Sequence, residues 1–342
     1  MNFITSLFTA PTTKKLKANK KKPMKKQNIV HANHHHHLDQ RSPIQRSQLD
    51  FNNYLMRDDT KPTQVFLSKS EYYEEGITDD IYMMGKMTSD SMIVLTRKGR
   101  IYVHVEQKWK PVDLEHEFVV DFEISPINVI LKTRLGNLYG ATTYNTWNQA
   151  GTTIGSPSMA DLRFELVQRN DELVDVKTGY GHSYFLDMNR ELYFCGNSGF
   201  GQLACSGDRA HDMTKISNSK IKGRRVKIIA SGFANCLAVF EDGNGLVWGN
   251  NDHKQLGYEK HFCITNPKPL DLPSDNEIIG LSAGQNISLA MTIAHEIFIA
   301  GSFMGTIDVW RKIVEIDFSP QSIFDAYIIY NDVYILSTSK LF

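Results

Sequence analysis

One glycine recurs at a nearly fixed step through the C-terminal half of this chain, and that period limits the fold more than any other feature. Three stretches share a pattern. The first runs Gly179-Tyr-Gly-His-Ser-Tyr-Phe-Leu186, Leu192-Tyr-Phe-Cys-Gly196 and Gly201-Gln-Leu203. The second runs Gly232-Phe-Ala-Asn-Cys-Leu-Ala-Val239, Leu246-Val-Trp-Gly249 and Gln255-Leu-Gly257, and the third runs Gly284-Gln-Asn-Ile-Ser-Leu-Ala-Met291 and Ile297-Phe-Ile-Ala-Gly301. The glycine after the second apolar segment advances from 196 to 249 to 301, steps of 53 and 52. Self-similarity at such a period is the mark of a repeat architecture.

Shorter copies flank these three. Ser91–Thr96 with Ile101–Val103, Asn128–Thr133 with Leu138–Tyr139, and Phe324–Ile329 with Val333–Leu336 each read as an apolar strand, a tight turn and a second apolar strand. Turn pairs such as Lys98-Gly99, Asp242-Gly243 and Asn331-Asp332 supply the positive φ that hairpins need. No 3.6-residue apolar period runs through these segments, which excludes helical repeats. Evenly spaced hairpins with glycine and aromatic landmarks predict an all-β fold, a β-propeller of six or seven blades. Closure of the ring is expected from a strand near Val65–Leu67 or Ile81–Met84 pairing with Val333–Ser337, which removes an exposed sheet edge.

The landmarks fall into structural roles. Gly201 and Gly257 suit left-handed or closely packed backbone, Leu203 and Leu256 suit burial between blades, and the amides of Gln202 and Gln255 suit loop backbone groups. Gly179, His182, Gly196, Gly232, Trp248, Gly249, Gly284 and Gly301 complete the set of expected scaffold positions. His182 has the chemistry of a general base, but it stands on a repeat landmark and reads as a hydrogen-bonded structural residue. No paired carboxylates, nucleophile–base pair or phosphate-binding loop stands out, so no catalytic residue, cofactor or metal site is expected, and the chain reads as no enzyme. The sequon at Asn286 to Ser288 lies in an expected strand.

The N-terminal segment differs in composition. The formal net charge is zero, yet residues 1–38 hold eight lysines and no acid, leaving 30 basic against 38 acidic residues in the remainder. All eight lie within Lys14, Lys15, Lys17, Lys20, Lys21, Lys22, Lys25 and Lys26. Residues 1–60 carry too little apolar surface to offset the entropy of ordering, and are expected to be a disordered basic tail ahead of a propeller over 61–342. The lysines fit a solvating tail, a nuclear-import or nucleic-acid-binding segment, or a mitochondrial targeting segment. The last reading draws on Phe3, Ile4, Leu7 and Phe8 sharing one helical face, and the lack of Arg and Pro11 speak against it. His34–His37 can chelate a transition metal only weakly on a flexible chain. The four cysteines form no Cys-x-x-Cys pair, which fits a reducing compartment, cytoplasmic or nuclear. No apolar run reaches the roughly 20 residues that span a bilayer, so no membrane partner is expected. Met1 to Ala10 carry no basic residue ahead of their apolar side chains, which argues against a secretory signal.

The pattern of Gly-x-x-His-Ser-x-x-Leu, an apolar pair ending in Gly, and Gly-Gln-Leu-Gly resembles the regulator of chromosome condensation repeat. His182, Ser183, Gly196, Gly201, Gln202 and Leu203 match it in the first copy. Gly232, Trp248, Gly249, Gln255, Leu256 and Gly257 match in the second, and Gly284, Ser288, Leu289 and Gly301 in the third. The resemblance is strong over about 174–306 and weaker over 81–342. Ala204 stands where the first turn should close with Gly, and Gly301-Ser-Phe-Met-Gly305 lacks Gln-Leu. The family implies a seven-bladed propeller, against six hairpin pairs counted here. It also implies protein partners. The expected function is therefore a non-catalytic, macromolecule-binding propeller that serves as a scaffold or adaptor. The alternative, implied by the best-known member of the family, is a guanine-nucleotide exchange factor for a Ran-like small GTPase, with nucleic-acid or chromatin contact through the lysine segment.

Overall fold

The computed structural model describes residues 77, 81–86, 91–106, 108–114, 116–168, 173–205, 211–313, 323–329 and 332–337. All belong to the second of the two units into which the chain divides, His37–Phe342. The lysine segment, His34–His37, the expected tail over 1–60 and the closing strand at Val65–Leu67 lie outside the described residues.

Among the described residues, five antiparallel sheets of four strands and one of two follow each other in chain order. The first holds β1 (Ile81–Lys86), β2 (Met92–Thr96), β3 (Ile101–Val105) and β4 (Lys108–Val112). The second holds β5 (Val119–Ile124), β6 (Asn128–Thr133), β7 (Leu138–Thr142) and β8 (Glu165–Gln168). The third holds β9 (Leu173–Thr178), β10 (His182–Asp187), β11 (Leu192–Gly196) and β12 (His211–Lys215). After a short helix, α1 (Asn218–Ile221), come β13 (Val226–Ser231), β14 (Asn235–Phe240), β15 (Gly245–Asn250) and β16 (Cys263–Pro269). The fifth sheet is β17 (Ile278–Ala283), β18 (Ile287–Thr292), β19 (Ile297–Phe303) and β20 (Thr306–Lys312), and the last is β21 (Ile323–Ile329) with β22 (Asp332–Ser337). Each sheet is one blade.

The hairpins expected from sequence are the second and third strands of the first five blades. Two further strands per blade carry weaker signals. First strands such as β13 and β17 lie against the first strand of the neighbouring blade, and they mix apolar residues with small, polar or charged ones, Lys227 and Ser231 in β13 and Gly280 and Ser282 in β17. Outer strands hold proline, as in Lys108–Val112 and Cys263–Pro269, which is tolerated because an edge strand needs ladder bonds on one side only. The segment Phe324–Leu336 was expected to be another such hairpin. It is instead the first and second strands of the last blade, with Ile329 opposite Asp332 and β21 packed on β17.

Ring closure through Ile81–Met84 is not what the described residues show. Ile81–Lys86 pairs with Met92–Thr96, and Asp332–Ser337 pairs with Ile323–Ile329. The reason is local: each of these strands begins or ends its own short hairpin, and a strand joined to its neighbour by a few residues pairs with it before any distant segment. Every first-to-second strand pairing also contains a register shift, between Val226 and Ile228 in the fourth blade and between Ile278 and Gly280 in the fifth, for example. A bulge repeated at one place in each blade increases local twist in the same way each time.

Polar side chains join successive blades at one repeated position, the first residue of the second strand. Asn128 Nδ2 donates to Thr178 Oγ1 at 3.1 Å and to Gly179 O at 2.8 Å. His182 Nε2 and Ser231 Oγ are 2.9 Å apart. At the next interface Ala283 stands where Thr178 and Ser231 stand and has no hydroxyl, so Asn235 Nδ2 turns to Ser288 Oγ at 3.3 Å. All three side chains are fully buried. Hydrogen bonds there are worth more than their surface counterparts, because an unpaired partner has no water to turn to.

Candidate functional site

Antiparallel order places the turn between first and second strands and the loop between third and fourth strands at the same end of each blade. On the second to fourth blades these loops carry a run of aromatic side chains. Tyr144 and Trp147 belong to the third-to-fourth-strand loop of the second blade and meet edge to face at 5.5 Å. The ring of Trp147 lies over Gly181, where a Cβ would stand 3.1 Å from Cε3. Next to Gly181, Tyr180 stacks on Phe233 of the fourth blade with centroids 4.4 Å apart and planes 18° from parallel. Phe200 and Phe262 form a second pair, 6.4 Å apart, on the longer loops of the third and fourth blades. Tyr144 and Phe262 are exposed, at 52% and 64%.

Backbone bonds between blades hold this row in place. Tyr180 N donates to Phe233 O at 3.1 Å, and Phe233 N donates to Gly284 O at 3.2 Å. Glycine is needed beneath it. A Cβ on Gly179 would collide with Gly232 O and with the His182 ring, and one on Gly232 would collide with Gly284 O. Thus Gly179, Gly232 and Gly284 mark where one blade's backbone touches the next. Gly196, Gly249 and Gly301 lie opposite His182, Asn235 and Ile287 across the second hairpin, with φ of +109°, +104° and +103°. At Gly249 a Cβ would also press on Asn235 Cα at 2.8 Å.

The glutamines organise the outer loops. Gln202 Oε1 accepts from Phe200 N at 2.8 Å, and Gln255 Oε1 accepts from His253 N at 3.0 Å. Leu203 and Leu256 are buried, and Gly201, Ala204 and Gly257 have positive φ. A third turn of this kind exists in the second blade and was missed in the sequence. Gln149 Oε1 accepts from Trp147 N at 3.2 Å, Asn148 and Gly151 have φ of +54° and +71°, and Ala150 is buried where leucine stands in the other copies. The signal was the spacing: Gln149, Gln202 and Gln255 are 53 residues apart. The aromatic row was also missed, although Tyr180 and Phe233 each directly follow a landmark glycine.

Trp248 is fully buried, its Nε1 donating to Tyr184 Oη at 2.6 Å and to Gln202 O at 3.1 Å, and the Tyr184 hydroxyl donating to Gln202 O. Burial lowers the pKa of His182 to about 3, so its imidazole is neutral and a poor base. Burial pushes the Cys195 thiol up to about 12 and holds that of Cys236 well above its ordinary value, so neither is a nucleophile. Among the described residues no cluster of three or more His, Cys, Asp or Glu side chains can hold a metal ion. No helix of the described residues is long and apolar enough to cross a membrane.

Four-stranded blades in chain order, joined first strand to first strand and latched at one repeated position, define a β-propeller built from sequence repeats. Residues 242–291 match the family model described as the Regulator of chromosome condensation (RCC1) repeat. The chain thus carries a repeat similar to that family's over these residues, and a propeller fold around it. Guanine nucleotide exchange factor SRM1 of Saccharomyces cerevisiae is 29% identical over 133 residues, 38% of this chain and 28% of that protein. E3 ubiquitin-protein ligase HERC2 of Mus musculus is 28% identical over 127 residues, 36% of this chain and 3% of the ligase. The chain thus spans less than a third of the length of these curated relatives. Human WBSCR16 superimposes with a TM-score of 0.63 at 17% identity, over 74% of this chain and 73% of that one. Prp20p of Saccharomyces cerevisiae, solved in a study of its binding to Gsp1p and histones, does so with 0.60 at 14% identity, over 73% and 67%. These two likenesses concern the fold.

Proposed function

We propose that this propeller is a non-catalytic protein-binding module, a scaffold or adaptor, whose contact face is the loop end that carries Tyr144, Trp147, Tyr180 and Phe233. The observation that carries this reading is the row itself: aromatic side chains on rigid loops, half-buried against one another and open on one side. Aromatic anchors dominate binding energy at protein interfaces because they bury large areas with little loss of rotamer freedom. The landmark glycines, glutamines and leucines serve the scaffold on this reading. The lysines of residues 14–26 add a sequence-blind contact to polyanions. The test is in-cell cross-linking with the parent chain and with Tyr180→Ser/Phe233→Ser, alongside melting temperatures. Loss of cross-links at this face with an unchanged melt is expected. Cross-links retained in the variant, or confined to the opposite end of the blades, would reject the assignment.

A second reading, an exchange factor for a Ran-like GTPase, is favoured by the similarity to an exchange factor over 133 residues. Exchange needs no bond chemistry, only tighter binding of the nucleotide-free GTPase than of the loaded one. We expect no dedicated activity, since the fifth blade replaces the glutamine turn with the short Met304-Gly305 turn. Release of a fluorescent GDP analogue from a panel of small GTPases decides between the readings. Strong, concentration-dependent acceleration would make exchange the function.

A further inference from the structure

The two ends of the blades differ in charge, and the difference limits what can bind to the aromatic row. The loops that bear or flank the row, residues 125–127, 143–152, 179–181, 197–205, 232–234 and 284–286, contain no Lys, Arg, Asp or Glu. At the opposite end the second-to-third-strand turns of the first five blades, 97–100, 134–137, 188–191, 241–244 and 293–296, each contain at least one. Asp212, Asp252 and Lys254 on the longer loops are engaged: Asp212 accepts from Asn148 at 2.7 Å, Asp252 meets His253 at 2.7 Å, and Lys254 meets Glu259 at 2.8 Å. A charged side chain laid on the row would lose water and meet no free counter-charge there, so the face selects against charged segments.

The carboxamides near the rings serve the loops themselves. Asn145 Nδ2 donates to Thr152 O at 2.9 Å, Gln149 Nε2 donates to Thr142 Oγ1 at 3.0 Å, and Asn197 Oδ1 accepts from Gly199 N at 2.6 Å. Trp147 Nε1 and the hydroxyls of Tyr144 and Tyr180, by contrast, make no hydrogen bond among the described residues. None of the three is sealed: Tyr144 is exposed, and the other two atoms keep contact with solvent. What the row offers a ligand is therefore ring surface with N–H and O–H donors at its edges. An indole N–H can only donate, so its ligand must bring an acceptor.

We propose that the row binds an uncharged, proline-rich segment of a partner protein in the polyproline II conformation. This rests on the protein-binding reading of the face and names the partner's chemistry. Such a segment makes no internal hydrogen bonds, so its carbonyls are free to accept from Trp147 Nε1 and from the Tyr144 and Tyr180 hydroxyls. Proline brings no N–H that would need an acceptor, its ring packs on aromatic surface, and the segment is already extended before it binds. A glycan would need carboxylates or carboxamides to spare beside the rings, whereas Asp212, Asn145 and Asn197 are engaged with the loops.

The probe is a fluorescein-labelled peptide, Gly-Pro-Pro-Leu-Pro-Pro-Leu-Pro-Pro-Gly, titrated against the full chain by anisotropy. Replacing its prolines with alanine is expected to weaken binding at least tenfold, and replacing its leucines with lysine or with glutamate at least fivefold. In the protein, Tyr144→Phe/Tyr180→Phe keeps the rings and removes the hydroxyls, and should weaken binding at least fivefold with an unchanged melt. In a ¹⁵N spectrum the peptide should move the Trp147 indole N–H signal downfield, assigned from Trp147→Phe, and leave that of Trp248 in place because its N–H already has acceptors. Absence of binding, equal affinity for the alanine or the charged peptides, equal affinity of the hydroxyl variant, a still Trp147 signal, or capture of cellohexaose in place of the peptide would each overturn the proposal. If the peptide fails while Tyr180→Ser/Phe233→Ser still loses its cross-links, the contact face stands and only the proline-rich partner is rejected. Cross-links retained in that variant would reject the face itself. The hydroxyl variant and the parent spectrum keep the test valid if Trp147→Phe fails to fold.

Discussion

His182 makes the interior of this propeller sensitive to acid, and the repeat itself provides the control. The equivalent residues of the blades on either side are Asn128 and Asn235, which make the same kind of contact to the next blade without a titrating group. In the folded chain burial lowers the His182 pKa from 6.5 to about 3. Between those values the unfolded chain binds a proton that the folded chain refuses, so stability falls as pH falls. The loss begins near pH 6.5 and continues to about pH 3, with a limiting slope of about 1.4 kcal/mol per pH unit. Between pH 7 and pH 5 it amounts to about 2 kcal/mol. For a chain of this size that is a fall in melting temperature of about 4–8 °C. His182→Asn keeps a donor toward Ser231 and removes the titration. Urea denaturation of parent and variant at pH 7, 6 and 5 isolates this residue, since every other histidine is common to both. The parent should lose about 2 kcal/mol more than the variant over this range. An identical pH dependence would show that His182 titrates normally and is not sealed between blades.

Further outcomes concern the scaffold and the N-terminal lysines. Leu256→Ala should lower stability by about 2–5 kcal/mol in denaturant titrations, because its side chain is fully buried and leaves a cavity. Gly249→Val should destabilise the chain severely or prevent folding, seen as a lost or lowered cooperative melt, since φ is +104° and a Cβ collides with Ala234 O. Gln149→Ala should lower the melting temperature measurably, since its amide is buried and bonds Trp147 N, Thr142 Oγ1 and Tyr144 O; an unchanged melt would mean the second-blade turn holds itself. Affinity for duplex DNA, measured by anisotropy across a salt series, should fall with log salt at a slope no steeper than about −7 for eight lysines, and should vanish in a chain beginning at Asp50.

The features legible in the sequence were those that a single hairpin settles by itself. Apolar strands around a turn that needs positive φ, as at Lys98-Gly99 and Asp242-Gly243, are a local matter of sterics, and a period of 53 and 52 residues between Gly196, Gly249 and Gly301 shows that the hairpins repeat. That was enough for the β-propeller class and for the resemblance to the repeat family. The first strands escaped notice because they face the neighbouring blade with mixed chemistry, and the outer strands because proline and lysine are acceptable at an edge. The last hairpin was placed one strand out of step because a hairpin does not reveal its position within a blade. The glutamine turn at Gln149 was hidden by Ala150, since a buried alanine in that cavity replaces the leucine that makes the pattern visible. The aromatic row left only a faint linear trace, Tyr180 and Phe233 each following a landmark glycine, and nothing in the sequence said that the two rings meet. Tyr180 and Phe233 stack although 53 residues apart, Trp147 covers Gly181, and the edge of the Trp310 ring packs against Gly257. Such pairs arise only when one blade docks on the next, because the docking distance and angle, rather than any property of either segment, decide which loops meet.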